Sequence, residues 1–357
     1  MKALDIPKMR RLPLDYKIDR HCQIQSTCVL ESSMPARLHR QATVIDGLIV
    51  SKWSRSLFEA MHAGGLTAAN CTCAVWEGFD GAFRHLATWK RWLTKNDDLL
   101  LQVYSLDDIA RAKREGRVGV ILGWQNSAGF DEEPSFVPVF HELGLRVVQL
   151  TYHTANAAGS GCLEAFDAGL SSWGHELVAE LNRAGILIDL SHVGSRTARD
   201  AIRVSKQPVA YTHCAPKALR DHPRNKTDED LRAIAERGGV IGVTMFPPFM
   251  PRGNDSTLDD YLDAIEHVIG LAGEEQVAIG TDFTQDIDEE GLRYFTRYKG
   301  TGHALLEIGN VVNPKEFGRI EQYPNLTAAM ERRGWTETRI RRVLGDNWLR
   351  LFGEVWR

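Results

Sequence analysis

The chain has 357 residues, 43% hydrophobic and 25% charged, enough to bury a large core within one domain. A net charge of −4 offers no basic surface for a nucleic acid or an anionic membrane, so neither is expected as a partner. No run approaches the ~18 consecutive apolar residues of a membrane span, and the charged start (Lys2, Asp5, Lys8, Arg10, Arg11) lacks the apolar stretch of a secretory signal. A cytoplasmic protein is expected.

Residues 1–41 are polar and aperiodic, and are expected to form an N-terminal extension to a single domain spanning 42–357. Short apolar runs then recur at 42–48, 66–75, 118–124, 146–152, 186–191, 208–212, 240–245 and 277–281. Segments of helical period separate them. Trp173, Leu177, Val178 and Leu181 share one face and end at Gly185. Thr227 opens a helix carrying Leu231 and Ile234, and Thr257 one carrying Leu258, Tyr261, Leu262 and Ile265. Eight near-continuous apolar strands alternating with helices predict an α/β protein, a (β/α)8 TIM barrel. An open doubly wound sheet fits less well, because no Gly-x-Gly-x-x-Gly turn follows a strand. Beyond Tyr323 the pattern is helical, and the stripe Trp348, Leu349, Phe352, Trp356 is expected to close the barrel. Six cysteines in so long a chain suggest small buried residues rather than a disulfide framework, and Cys71-Thr-Cys73 has no second pair to complete a metal clamp.

In a parallel barrel, chemistry belongs to residues just past the C-terminal ends of the strands. Asp189-Leu190-Ser191-His192 ends one apolar run and Tyr211-Thr212-His213 ends the next, so two imidazoles stand at matching rim positions. They suit a metal or proton transfer. Asp282, in Gly280-Thr281-Asp282, places a carboxylate at the end of the last strand, where a general base would stand; helix capping is the bland alternative.

The run Gln149-Leu-Thr-Tyr152, Asn156, Gly159-Ser-Gly-Cys162, Gly185-Ile-Leu-Ile-Asp-Leu-Ser-His-Val193, His213, His222-Pro-Arg-Asn225, Gly280-Thr-Asp282 and Pro324-Asn-Leu-Thr327 resembles the renal (membrane) dipeptidase family of metallopeptidases. The resemblance covers residue 42 to the C-terminus. It implies an amidohydrolase-type barrel, commonly a homodimer, that hydrolyses dipeptides or similar small amides at a two-zinc centre. On this resemblance His192 and His213 correspond to two histidines that hold one zinc, and Asp282 to the aspartate that handles the proton between water and leaving amine. Arg224 corresponds to the arginine that grips the substrate carboxylate, a task suited to a planar fork of donors. Tyr152 or His153 takes the place of a substrate-contacting histidine, and Asn156 lies beside them among the substrate-binding candidates.

The departures bear on mechanism. Where the family's first strand ends Asp-Gly-His-x-Asp, this chain has Asp46-Gly47-Leu48-Ile49-Val50, and the bridging glutamate is Gln125. Two ligands are aliphatic and the third carries no charge to hold two divalent ions together. The expectation is therefore a dipeptidase-like hydrolase acting on a small carboxylate-bearing amide or dipeptide, with at most one zinc on His192 and His213 and either Asp282 or Gln125 as third ligand. A metal-free enzyme of another reaction type, with the histidines as acid and base, is the alternative; a ligand-binding barrel without catalysis is the third. Lys52, two residues past Val50, could supply some of the missing positive charge, or could be a solvated loop residue.

Overall fold

The computed structural model describes residues 34–356. Nine strands form one parallel sheet: β1 (Ile45–Ile49), β2 (Ala68–Ala74), β3 (Leu100–Gln102), β4 (Val118–Trp124), β5 (Leu145–Gln149), β6 (Leu187–Asp189), β7 (Ala210–Cys214), β8 (Val240–Val243) and β9 (Val277–Ile279). Eight of them pair in the order β1-β2-β4-β5-β6-β7-β8-β9. Past the end of β9, Ile49 bridges Phe283, Asp282 N–H donates to Leu48 O at 3.0 Å and Val50 N–H donates to Phe283 O at 3.1 Å. These contacts join the last strand to the first, giving the expected TIM-type barrel. The sequence reading missed β3, which pairs with the start of β4. Its three residues are too few to show a period.

Parallel strands buried on both faces need apolar residues throughout, and most strand residues here are fully buried. Ile45, Ala68, Ile121, Val147, Leu187, Ala210, Val240 and Ala278 make one apolar layer with Trp348, Leu351 and Phe352 of the helix Asn347–Val355. Trp348 Nε1 donates to Ile279 O at 2.9 Å, and a Cβ on Gly47 or Gly242 would strike its ring. The C-terminal stripe thus closes the N-terminal end of the barrel, as its apolar spacing suggested. The opposite rim is left for chemistry.

Residues 34–41, expected within an irregular extension, instead form the helix Met34–Gln41. His39 fastens it, bonding Thr327 Oγ1 at 2.7 Å and Gly64 O at 2.8 Å. The rest of the expected extension lies outside the described residues. Cys71, Cys73, Cys162 and Cys214 are free thiols, and no helix among the described residues is long and apolar enough to cross a membrane.

Candidate active site

The site is built on the ends of β5, β6 and β7. The connection after β5 is long, residues 150–171, and carries Tyr152, His153, Asn156 and Cys162. Long ordered loops at a barrel rim are characteristic places for function. Asn156 shapes this one. Its Nδ2 donates to Asn126 Oδ1 and Leu150 O, both at 2.8 Å, and its Oδ1 accepts from Ala158 N–H at 2.8 Å. Those bonds make the Asn156 amide part of the loop's own scaffold.

Three imidazoles meet at the rim. His192 Nε2 lies 2.9 Å from His213 Nε2, and His192 Nδ1 lies 3.2 Å from His153 Nδ1. Tyr152 stacks on the His192 ring with centroids 4.2 Å apart, and Trp76 packs edge-on against Tyr152. The outer end of the chain is fixed: His213 Nδ1 is 2.8 Å from Thr212 Oγ1, which lies 2.7 Å from Asp189 Oδ2. Because a carboxylate only accepts, Thr212 Oγ1 donates to it, and its oxygen accepts from His213 Nδ1–H. His213 Nε2 is then an acceptor, so His192 donates from Nε2 and keeps a lone pair on Nδ1. Burial, reinforced by the nearby Arg224 charge, pushes all three imidazoles well below their ordinary pKa. Neutral His153 and His192 keep lone pairs for a metal or a proton, while that of His213 accepts from His192.

Asp282 shares a cavity of about 30 Å³ with Val50, Tyr152, His153 and His192. Burial raises its carboxyl to about 7, against the opposing pull of Arg224. Its backbone is left-handed (φ 60°), as is that of His153 (φ 58°). Strained conformations in non-glycine residues cluster at functional sites.

Arg224 is fully buried. Its Nη2 donates to His213 O at 2.7 Å and its guanidinium lies 5.6 Å from the Phe249 ring centroid. Nε and Nη1 have no partner among the described residues. A buried cation with two bare donors is costly unless an anion completes it. Nearby Lys226 is also buried, its Nζ donating to Val193 O at 2.7 Å. Sequence reasoning missed this residue, although it follows the His222-Pro-Arg-Asn225 motif directly.

The opposite wall differs. Leu48 and Val50 are buried, at 2% and 7% exposure. Gln125 donates from Nε2 to Thr72 Oγ1 at 2.9 Å. Beyond Val50 lies a larger cavity of about 390 Å³, lined by Trp53, Trp89, Trp92, Glu77 and Tyr294. Trp124, by contrast, packs into the core against Phe130 and Phe140. Lys52 points away from all of this. Its ammonium pairs with Asp288 at 3.4 Å on the surface, both side chains 63% exposed.

For a metal, one group among the described residues brings three donor atoms within 4.8 Å of one another: His153, Cys162 and His192. His213 and Asp282 do not belong to it: His192 and His213 meet as expected, but Asp282 does not join them as a third donor. The thiol of Cys162, 3.9 Å from His153 Nδ1, stands where sequence reasoning assigned no ligand. Its only signal was the motif Gly159-Ser-Gly-Cys162.

The chain matches the membrane dipeptidase family (peptidase family M19) over residues 55–313 and 308–357. An uncharacterized dipeptidase of Schizosaccharomyces pombe is 31% identical over 264 residues, covering 72% of this chain and 58% of that protein, so the match spans little more than half of the relative. A crystal structure of an amidohydrolase from Pseudomonas aeruginosa superimposes with a TM-score of 0.89 at 48% identity, covering 90% of this chain and 99% of the other. A metallopeptidase from Rhodobacter sphaeroides, crystallised with a phosphinate mimic of the dipeptide L-Ala-D-Ala, gives 0.73 at 20% identity, covering 88% and 99%, and shows a shared fold.

Proposed function

The chain belongs to the membrane dipeptidase family, and we propose that it hydrolyses the amide bond of a small substrate bearing a free carboxylate, using at most one divalent ion. The observation that carries this reading is Arg224, sealed in the protein with Nε and Nη1 unpartnered among the described residues. A carboxylate accepts from two guanidinium donors at once, which relieves the uncompensated charge. The dipeptide mimic bound by the Rhodobacter sphaeroides relative supports a substrate of this class.

The donor set does not fit a two-metal centre. Leu48 and Val50 offer no ligand atoms, and Gln125 is neutral with its amide engaged by Thr72. A single ion does fit, because His153, Cys162 and His192 bring three donor atoms within 4.8 Å of one another. Zinc is the ion such donors favour, and when bound it would polarise the scissile carbonyl and acidify water.

The remaining work falls to the protein. Arg224 orients the substrate through its carboxylate. Asp282, with a carboxyl near 7, takes a proton from the attacking water and returns it to the leaving amine. Tyr152, stacked on His192, keeps the ring in place and shields that face from solvent. The chamber beyond Val50 has room for the substrate's side chain. Exposed Phe79 and Phe83, stacked with ring centroids 6.2 Å apart, support the homodimer that the family resemblance implies.

The test compares N-acyl amino acids and dipeptides with their C-terminal amides. The reading expects kcat/KM on the order of 10³-fold or more lower for the amides, since a site built around a hydrogen-bonding group rejects analogues lacking it. Equal rates would overturn it, and no turnover on any of these substrates would leave a ligand-binding barrel.

A further inference from the structure

We infer that the ion sits on the Nδ1 side of His192, held by His153 Nδ1, Cys162 Sγ and His192 Nδ1, with His213 as a positioning residue. The inference rests on the single-ion reading and names the donors.

The backbone builds this position. The loop after β5 doubles back so tightly that a Cβ on Gly161 would lie 2.2 Å from the His153 carbonyl. Cys162 N–H donates to His192 O at 2.9 Å, and Leu163 N–H to His153 O at 2.8 Å. Gly161 bridges Val193 on the other side. Main-chain bonds thereby hold the Cys162 backbone against both His153 and His192, the rigidity that a ligand set requires.

Distances agree. With metal–nitrogen bonds of about 2.05 Å and metal–sulfur bonds of about 2.3 Å, a tetrahedral centre needs N···N near ~3.3 Å and N···S near ~3.6 Å. The observed His153–His192 and His153–Cys162 separations are 3.2 and 3.9 Å. His153 and His192 also line, with Asp282, the 30 Å³ cavity, which has room for about one water to serve as a fourth ligand. Three protein ligands and an open position are the pattern of a catalytic zinc.

The hydrogen-bond chain explains His213. A ligating histidine usually donates its other N–H to a fixed acceptor. His192 Nε2–H meets that acceptor in His213 Nε2, itself held through Thr212 to Asp189. Loading releases the Cys162 thiol proton to solvent as sulfur binds the ion. A thiolate with two imidazoles selects zinc or cobalt over magnesium or calcium.

The test is titration of the reduced, metal-depleted full chain with Co(II). One equivalent is expected to give a sulfur-to-cobalt charge-transfer band in the near ultraviolet. Cys162→Ser and Cys162→Ala should both lose the band and weaken cobalt binding at least tenfold, while His213→Gln keeps it. X-ray absorption of the zinc-loaded wild type should show one sulfur at about 2.3 Å, a readout independent of any variant. One equivalent bound without a sulfur signal, and lost in His213→Gln, would overturn this inference and leave the single-ion reading standing. Two equivalents, or none, would overturn both.

Discussion

The two walls of the barrel mouth differ in opposite senses. The wall after β5, β6 and β7 concentrates donors: His153, Cys162, His192 and His213, with Arg224 behind them. The wall after β1 and β4 is apolar or neutral, with Leu48, Val50 and Gln125. On the proposed single-ion reading, this asymmetry confines the ion to one side and leaves the other to packing. A shared fold does not by itself fix a reaction, which depends on the residues at this rim.

The largest effect is expected at the donor wall. Arg224→Met should lower kcat/KM on carboxylate-bearing amides by about 10³–10⁴-fold. Its melting temperature should hold or rise, because the variant removes a buried charge whose donors lack partners. A fall in melting temperature with activity retained would place Arg224 in the scaffold and erase the contrast between the walls.

The contrast can also be reversed. The triple variant Leu48→His, Val50→Asp, Gln125→Glu restores donors to the apolar wall and should raise the metal content to two ions per chain, measured by elemental analysis. Unchanged stoichiometry would show that the wall's backbone has moved out of ligand geometry.

A third effect is on stability. Asp282 has a folded-state carboxyl near 7, raised above the unfolded value of 3.8. Between these pH values the folded state binds a proton that the unfolded state releases, so the stability this proton confers is lost as pH rises through 7. Asp282→Asn does not titrate, and asparagine tolerates the left-handed backbone at this position. The variant should abolish turnover yet melt higher above pH 7 by an amount on the order of 1–4 kcal/mol, converging with wild type below pH 4. Thermal melts across that range check this, and a constant difference would contradict it.

The smallest effect is at Lys52. The exposed pair with Asp288 is worth roughly 0–1 kcal/mol, so Lys52→Ala should leave both turnover and stability nearly unchanged. A large loss of turnover would restore this lysine to the site.

The barrel was legible in the sequence because parallel strands buried on both faces leave unbroken apolar runs, and all eight expected runs overlap a strand. The three-residue β3 was not legible. Of the site, His192 and His213 stood out because each follows a strand. The contact between His153 and Cys162 could not be read from spacing, because it depends on a loop that doubles back at Gly161. Asn156 carried the family motif, but its amide is spent on the loop that holds His153. Leu48, Val50 and Gln125, where the family resemblance implies ligands, were plain in the sequence, because a missing donor shows in one letter.

Metal stoichiometry tests the central claim most directly. Elemental analysis of the full chain after equilibration with excess zinc and removal of loosely bound ions should find no more than one zinc per chain. Two tightly held ions per chain would contradict the account.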